Sequence, residues 1–114
     1  MVNKYNSRRV AIDGYTFDSI RESQRYGELK LMEKAGEIHS LEIHPVLVLQ
    51  RAFVYRGKKI RAITYEADFR YFNNIYGVFV YEDLKGYETQ AFRLKWKMLL
   101  HKFRNSSIEF RIVR

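Results

Sequence analysis

Asp68, Asp83 and Lys85 are residues whose types and spacing could do chemistry together. Between the two aspartates lie Asn73-Asn74 and Gly77, which signal a hairpin turn. If the hairpin is centred between Ile75 and Tyr76, Asp68 stands directly opposite Asp83. Opposed residues share a face, with Cβ atoms about 5 Å apart. Lys85, two residues beyond Asp83, shares that face too, and Glu66 would face it. Two carboxylates so placed repel each other unless something offsets their charge. A divalent cation does this. Mg²⁺ suits one or two carboxylates plus waters and a phosphate, and the ligand preferences of Mn²⁺ overlap with it. Lys85 beside such an ion could position an attacking water or stabilise developing negative charge. The plainer alternative is a polar surface on which Lys85 merely pairs the acids.

The opposite face of the same hairpin is apolar, with Ala67 against Leu84 and Tyr71 against Val80. Glu82 falls on that face beside Phe69 without an evident partner, and a one-residue bulge would exchange the roles of Glu82 and Asp83.

The elements that position these residues follow from periodicity. Residues 8–17 alternate around Asp13-Gly14, a two-residue hairpin signal. A helix is expected over 19–35, opened by the capping box Ser19…Glu22 and stopped by Gly36. Ile20, Leu31 and Ala35 form its expected apolar face, widened by Tyr26, Leu29 and Met32. Strand patterns run from Glu37 to Lys85: Val46–Tyr55, a turn at residues 56–59, Ile60–Phe72 and Val78–Lys85. In the middle strand Ile63, Tyr65, Ala67, Phe69 and Tyr71 point one way. A second helix over 90–104 carries the apolar stripe Phe92, Trp96, Leu99 and Phe103, and Ile108–Ile112 alternate as a last strand. The fold class is α/β (α+β), of order α-β-β-β-α-β after an N-terminal hairpin, with a mixed sheet. Residues 1–114 read as one domain, only the first few standing apart from it.

Composition narrows the partners. The net charge is +8, which suggests a polyanion, nucleic acid before an anionic membrane. Arg93, Lys95, Lys97, Lys102 and Arg104 on the second helix are the DNA-contact candidates, and Arg56 to Lys59 with Arg61 form a second candidate phosphate contact. There is no cysteine, which excludes disulfides, thiolate metal sites and cysteine nucleophiles. His39, His44 and His101 lack ligand-like spacing. No apolar run approaches a membrane span, so a soluble, untargeted protein is expected.

The segments Thr64-Tyr65-Glu66-Ala67-Asp68-Phe69 and Tyr81-Glu82-Asp83-Leu84-Lys85-Gly86 resemble the PD-(D/E)xK nuclease signature. Ala67 stands where that signature usually has proline, and Asp83-Leu84-Lys85 supplies the acid-x-Lys. The layout is similar to that of phage endonuclease I-type Holliday junction resolvases and of small uncharacterised phage proteins (DUF1064-like). The resemblance spans about residues 17–113. It implies a restriction-endonuclease-like core, with a mixed sheet flanked by helices. It also implies a catalytic Glu on the first helix, matched here by Glu22 in Ser19-Ile20-Arg21-Glu22, with Glu28 a weaker substitute. Thr89 and Gln90 resemble positions near the scissile phosphate, although Thr89 also fits a helix cap. Tyr87, beside the site, could stack on a base or simply pack its turn.

The expectation is a Mg²⁺-dependent endonuclease acting on DNA, branched DNA by the resemblance. Glu22, Asp68 and Asp83 would hold the metal, with Mn²⁺ as a substitute, and Lys85 would assist the nucleophile. The resemblance further implies a homodimer, because two strands must be cut. Its place would be the cytoplasm, that of a bacterial host if the chain is phage-encoded. The alternatives are a catalytically inactive DNA-binding module of the same fold and a basic structural protein.

Overall fold

A computed structural model describes residues 8–114; the first few residues, expected to stand apart, lie outside the described residues. The chain opens with a hairpin of β1 (Val10–Ile12) and β2 (Tyr15–Phe17). Its Asp13-Gly14 turn has φ of 53° and 82°, the left-handed pair that a two-residue hairpin turn requires. Helix α1 (Ile20–Lys34) follows, with the Ser19 hydroxyl accepting from the Glu22 amide at 3.1 Å.

The described residues form ten strands and two helices in all: after α1 come β3 (Ile38–Ile43), β4 (Val46–Gln50), β5 (Phe53–Tyr55), β6 (Lys58–Ile60), β7 (Ile63–Glu66), β8 (Phe69–Asn73), β9 (Val78–Leu84), α2 (Gln90–Lys102) and β10 (Glu109–Val113). The principal sheet has the order β10-β9-β8-β3 and is mixed: β10 runs parallel to β9, and the other pairs are antiparallel. Read through this sheet alone, the order is α1-β3-β8-β9-α2-β10, the α-β-β-β-α-β pattern that periodicity suggests. The members differ from expectation. β3 is the first core strand, and the segment 46–66 leaves the sheet as the separate pairs β4-β7 and β5-β6. The strand expected over 60–72 is therefore broken into β6, β7 and β8, and the one over 46–55 into β4 and β5. Lys58 and Lys59 belong to β6, so the turn itself is Arg56-Gly57.

The β8–β9 hairpin keeps the expected register, with Phe69 opposite Glu82 and Tyr71 opposite Val80. Asn73 fixes its turn: the side-chain oxygen accepts from the amides of Ile75 and Tyr76 at 2.9 and 3.1 Å, and Gly77 N–H closes on the Asn73 carbonyl at 2.8 Å.

Two apolar clusters cover the two faces of the principal sheet. Phe17, Tyr26, Leu29, Ile38, Phe69, Tyr71 and Val80 form the one beneath α1. Tyr65, Ala67, Tyr81, Phe92 and Leu99 form the one beneath α2, with Trp96 and Phe110 packed against it. Val80 and Tyr81 are neighbours that point to opposite faces, so β9 is buried on both sides. The inward face of α1 is Ser23, Tyr26 and Leu29. Ile20 and Leu31, expected to face the core, are 43% and 69% exposed, because α1 turns its Tyr26–Leu29 side to the sheet. No helix of the described residues is long and apolar enough to cross a membrane.

Candidate functional site

The site forms where the chain changes sheets. Ala67 and Asp68 separate β7 from β8 and belong to no strand. Asp68 nevertheless stays lashed to its neighbours. Its amide donates to the Glu82 carbonyl at 3.0 Å, its side-chain Oδ2 accepts from the Leu84 amide at 2.7 Å, and its carbonyl accepts from His44 N–H at 3.0 Å. One residue along, Ala67 N–H donates to the Pro45 carbonyl at 3.0 Å. The corner at His44-Pro45 and the corner at Ala67-Asp68 are thus held side by side. His44 takes a left-handed φ of 54°, which turns the chain there.

Glu22 arrives from the first turn of α1. Among the described residues, Glu22, His44 and Asp68 each offer a ligand atom within 4.8 Å of the other two. The imidazole of His44 also sits 6.1 Å, centroid to centroid, from the ring of Phe17. Spacing along the chain gave no sign of His44, because its neighbours in the site come from positions far away in sequence.

Asp83 stands beside this group, buried to 2% exposure. Its negative charge acts on the Asp68 carboxyl and raises it. Its Oδ2 accepts from the Tyr65 hydroxyl, and its Oδ1 lies 3.2 Å from Lys85 Nζ. The Lys85 ammonium in turn lies 4.6 Å from the centroid of Phe92, a face that attracts a cation. Asp68, Asp83, Lys85 and Glu22 are therefore brought together, with His44 and Tyr65 added by the structure.

The electrostatics show strain of one sign. Burial, reinforced by the neighbouring charge of Asp83 and then of Glu22, pushes the Asp68 carboxyl up to about 8; the Leu84 amide pulls the other way. Burial likewise raises Glu22, against the hydrogen bond that its Oε2 accepts from the Asp18 amide at 3.2 Å. Burial and the bond to Asp83 raise the Tyr65 hydroxyl, which stays a donor. Acids crowded in this way either keep protons or take up a cation. Two carboxylates and an imidazole within reach of one point are donors suited to Mg²⁺ or Mn²⁺, so the residues present fit such an ion.

Glu82 has a different occupation. It is fully buried on the α1 face, where both its oxygens are taken. Arg25 of α1 donates to them through Nε at 2.8 Å and a terminal nitrogen at 2.6 Å, the Tyr71 hydroxyl donates as well, and Arg111 lies at 3.8 Å. No bulge exchanges Glu82 with Asp83, and the unexplained acid is an internal strut between helix and sheet.

A cleft of about 1070 Å³ opens over the site, between the start of α1 and the loop after β9; Ser19, Glu22, Lys85, Gly86, Tyr87 and Thr89 are among its lining residues. Thr89 caps α2, its hydroxyl accepting from the Phe92 amide at 3.1 Å, and Gln90 is the first residue of the helix. The basic residues of α2 do not form one stripe. At helical spacing Arg93, Lys97 and Arg104 lie on one flank of the buried face, while Lys95 and Lys102 lie on the other. Lys102 is turned toward β4, where its ammonium donates to the Val48 carbonyl, and Arg104 donates to the His101 carbonyl at 2.6 Å.

The chain belongs to the family described as protein of unknown function (DUF1064), which matches residues 2–114. No curated protein and no solved structure gives a match.

Proposed function

We propose that this DUF1064 chain is a metal-dependent endonuclease that hydrolyses phosphodiester bonds in DNA, built on a restriction-endonuclease-like core. The observation that supports it is the meeting of Asp68, Asp83, Glu22 and Lys85 beside one cleft, which Glu22 and Lys85 line, with the Asp68 carboxyl raised to about 8 by burial and by Asp83. A structural polar patch has no need to bury two carboxylates against each other.

Glu22, Asp68 and Asp83 would hold Mg²⁺ or Mn²⁺, with His44 in reach as a further donor. When bound, the ion supplies positive charge beside the phosphate oxygens. Lys85 is fixed by Asp83 on one side and the Phe92 ring on the other. Its ammonium can hold a water for attack or steady the charge that builds on the phosphate. Tyr65 fixes the second oxygen of Asp83 and so fixes the direction in which Asp83 holds Lys85. Arg93 and Lys97, on an exposed flank of α2, supply backbone contacts that carry affinity without sequence information. The resemblance noted above points to branched DNA and to a homodimer, one copy per strand cut.

The test is to incubate the purified protein with a labelled four-way junction and a matched linear duplex, in Mg²⁺, Mn²⁺ or EDTA, beside Lys85→Ala. Metal-dependent cutting that the variant lacks is expected. Tight binding without cutting under either metal would leave a DNA-binding module and overturn the nuclease.

A further inference from the structure

The segment 46–66 is one ribbon. From Val46↔Glu66 to Val48↔Thr64 the strands pair in one register, and a single bulge shifts it before Gln50↔Ile63. The pairs Phe53↔Ile60, Val54↔Lys59 and Tyr55↔Lys58 then continue that shifted register across the short gap. The ribbon closes on Arg56-Gly57, whose φ values of 49° and 78° make a tight two-residue turn. At about 3.3 Å per residue it is roughly 30 Å long.

Its outer half is poorly explained by folding. Residues 51–59 are exposed without exception, and β5 and β6 pack chiefly on each other. Phe53, Val54 and Tyr55 are 45%, 66% and 58% exposed. A lone two-stranded hairpin is marginal in water and gains nothing from bare aromatic and aliphatic groups. Its charge has one sign: Arg51, Arg56, Lys58, Lys59 and Arg61 are cations, and no acid occurs from Val46 to Tyr65. By strand alternation, Lys58 lies on one face beside Tyr55 and Phe53, and Lys59 with Arg61 on the other beside Val54. The base of the ribbon springs from the corners His44-Pro45 and Ala67-Asp68, which are the floor of the candidate site.

We infer that this ribbon is a duplex-binding arm that lies in a groove of DNA and places the candidate site on the same molecule. The major groove admits a two-stranded ribbon. Cations on both faces and both strands meet phosphates on either wall, and the ring of Tyr55 and the side chain of Val54 meet sugars and base edges. The length of the arm carries its tip up to about one helical turn from the site. The inference rests on the proposal that DNA is the partner, but it concerns a separate surface.

The experiment is fluorescence anisotropy with a labelled linear duplex in EDTA, over a salt series from about 50 to 200 mM. The proteins are wild type, the tip variant Arg56→Gln/Lys58→Gln/Lys59→Gln, and Val54→Ser/Tyr55→Ser, each checked by thermal melting and by sedimentation. The tip variant is expected to keep its melting temperature and to bind with a salt slope shallower by about three. The apolar variant is expected to bind duplex more weakly at every salt concentration. Unchanged slope and affinity in both folded variants would overturn the arm while leaving DNA binding in place. Wild type that binds no duplex at low salt would remove the DNA reading and the arm with it. A monomer–dimer shift in the variants with DNA affinity intact would also overturn it, assigning the ribbon to contact between copies.

Discussion

The hydroxyl of Tyr65 on β7 donates a hydrogen bond to the carboxylate of Asp83 on β9, from a strand that does not belong to the principal sheet. The bond crosses the corner at Ala67-Asp68 and ties the base of the ribbon to the sheet. Asp83 thereby has one oxygen held by Tyr65 and the other facing Lys85.

Tyr65→Phe removes that donor and leaves a buried carboxylate short of a partner. The expected loss is about 1–3 kcal/mol, read from urea unfolding. Equal stability of the variant would show that the hydroxyl does not hold Asp83.

The Asp68 carboxyl rises from its usual 3.8 to about 8 on folding. Between those values the folded chain holds a proton that the unfolded chain has released, so stability falls as pH rises. Its contribution is complete below 3.8 and is lost as pH passes through about 8. The melting temperature in EDTA is therefore expected to decline from pH 5 toward pH 8. Saturating Mg²⁺ or Mn²⁺ should lift the curve most at the alkaline end, because binding requires the ionised acid. A melting temperature in EDTA that rises over this range would contradict the buried, crowded carboxyl.

His44 adds a nitrogen donor to an otherwise oxygen site. Imidazole favours transition metals over Mg²⁺. His44→Ala should weaken Mn²⁺ binding by calorimetry more than Mg²⁺ binding, in the direction and on the order of the 10-fold or greater losses seen when metal-site residues are removed. Equal small effects on both ions would place His44 outside the shell.

Arg25→Met takes the strongest partner from fully buried Glu82. Breaking a buried pair from one side costs about 3–5 kcal/mol, measured by denaturant unfolding. The double variant Arg25→Met/Glu82→Gln should recover most of the loss. A single variant as stable as wild type would mean that Tyr71 and Arg111 suffice for Glu82.

Local signals in the sequence carried far. Asp13-Gly14 and the Ser19 cap read correctly, and the hairpin centre at Ile75/Tyr76 predicted the register that brings Asp68 and Asp83 together. The single face expected from Ile63 to Tyr71 does not survive the corner at Ala67-Asp68: Tyr65 and Ala67 pack beneath α2, while Phe69 and Tyr71 pack beneath α1. Contacts between distant segments were not legible. Arg25 meets Glu82 only because α1 packs on that sheet face, and His44 joins Glu22 and Asp68 only because two chain corners are hydrogen-bonded side by side. The alternation within Val46–Tyr55 looks the same in a sheet strand as in a projecting ribbon, so pattern alone could not say that it leaves the core. Ile20 and Leu31 misled for a related reason: their spacing makes a face, but Tyr26 and Leu29 make a better-filled one.

Glu22 is at once the N3 residue of the α1 cap and a member of the acid cluster. The first turn of a helix is where fraying ordinarily begins. Here an opened turn carries Glu22 away and dissolves the cluster, so site assembly and local helix unfolding form one cooperative event. Occupation of the cluster would then be recorded as slowed amide hydrogen exchange at Ser23, whose N–H bonds the Ser19 carbonyl at 3.2 Å.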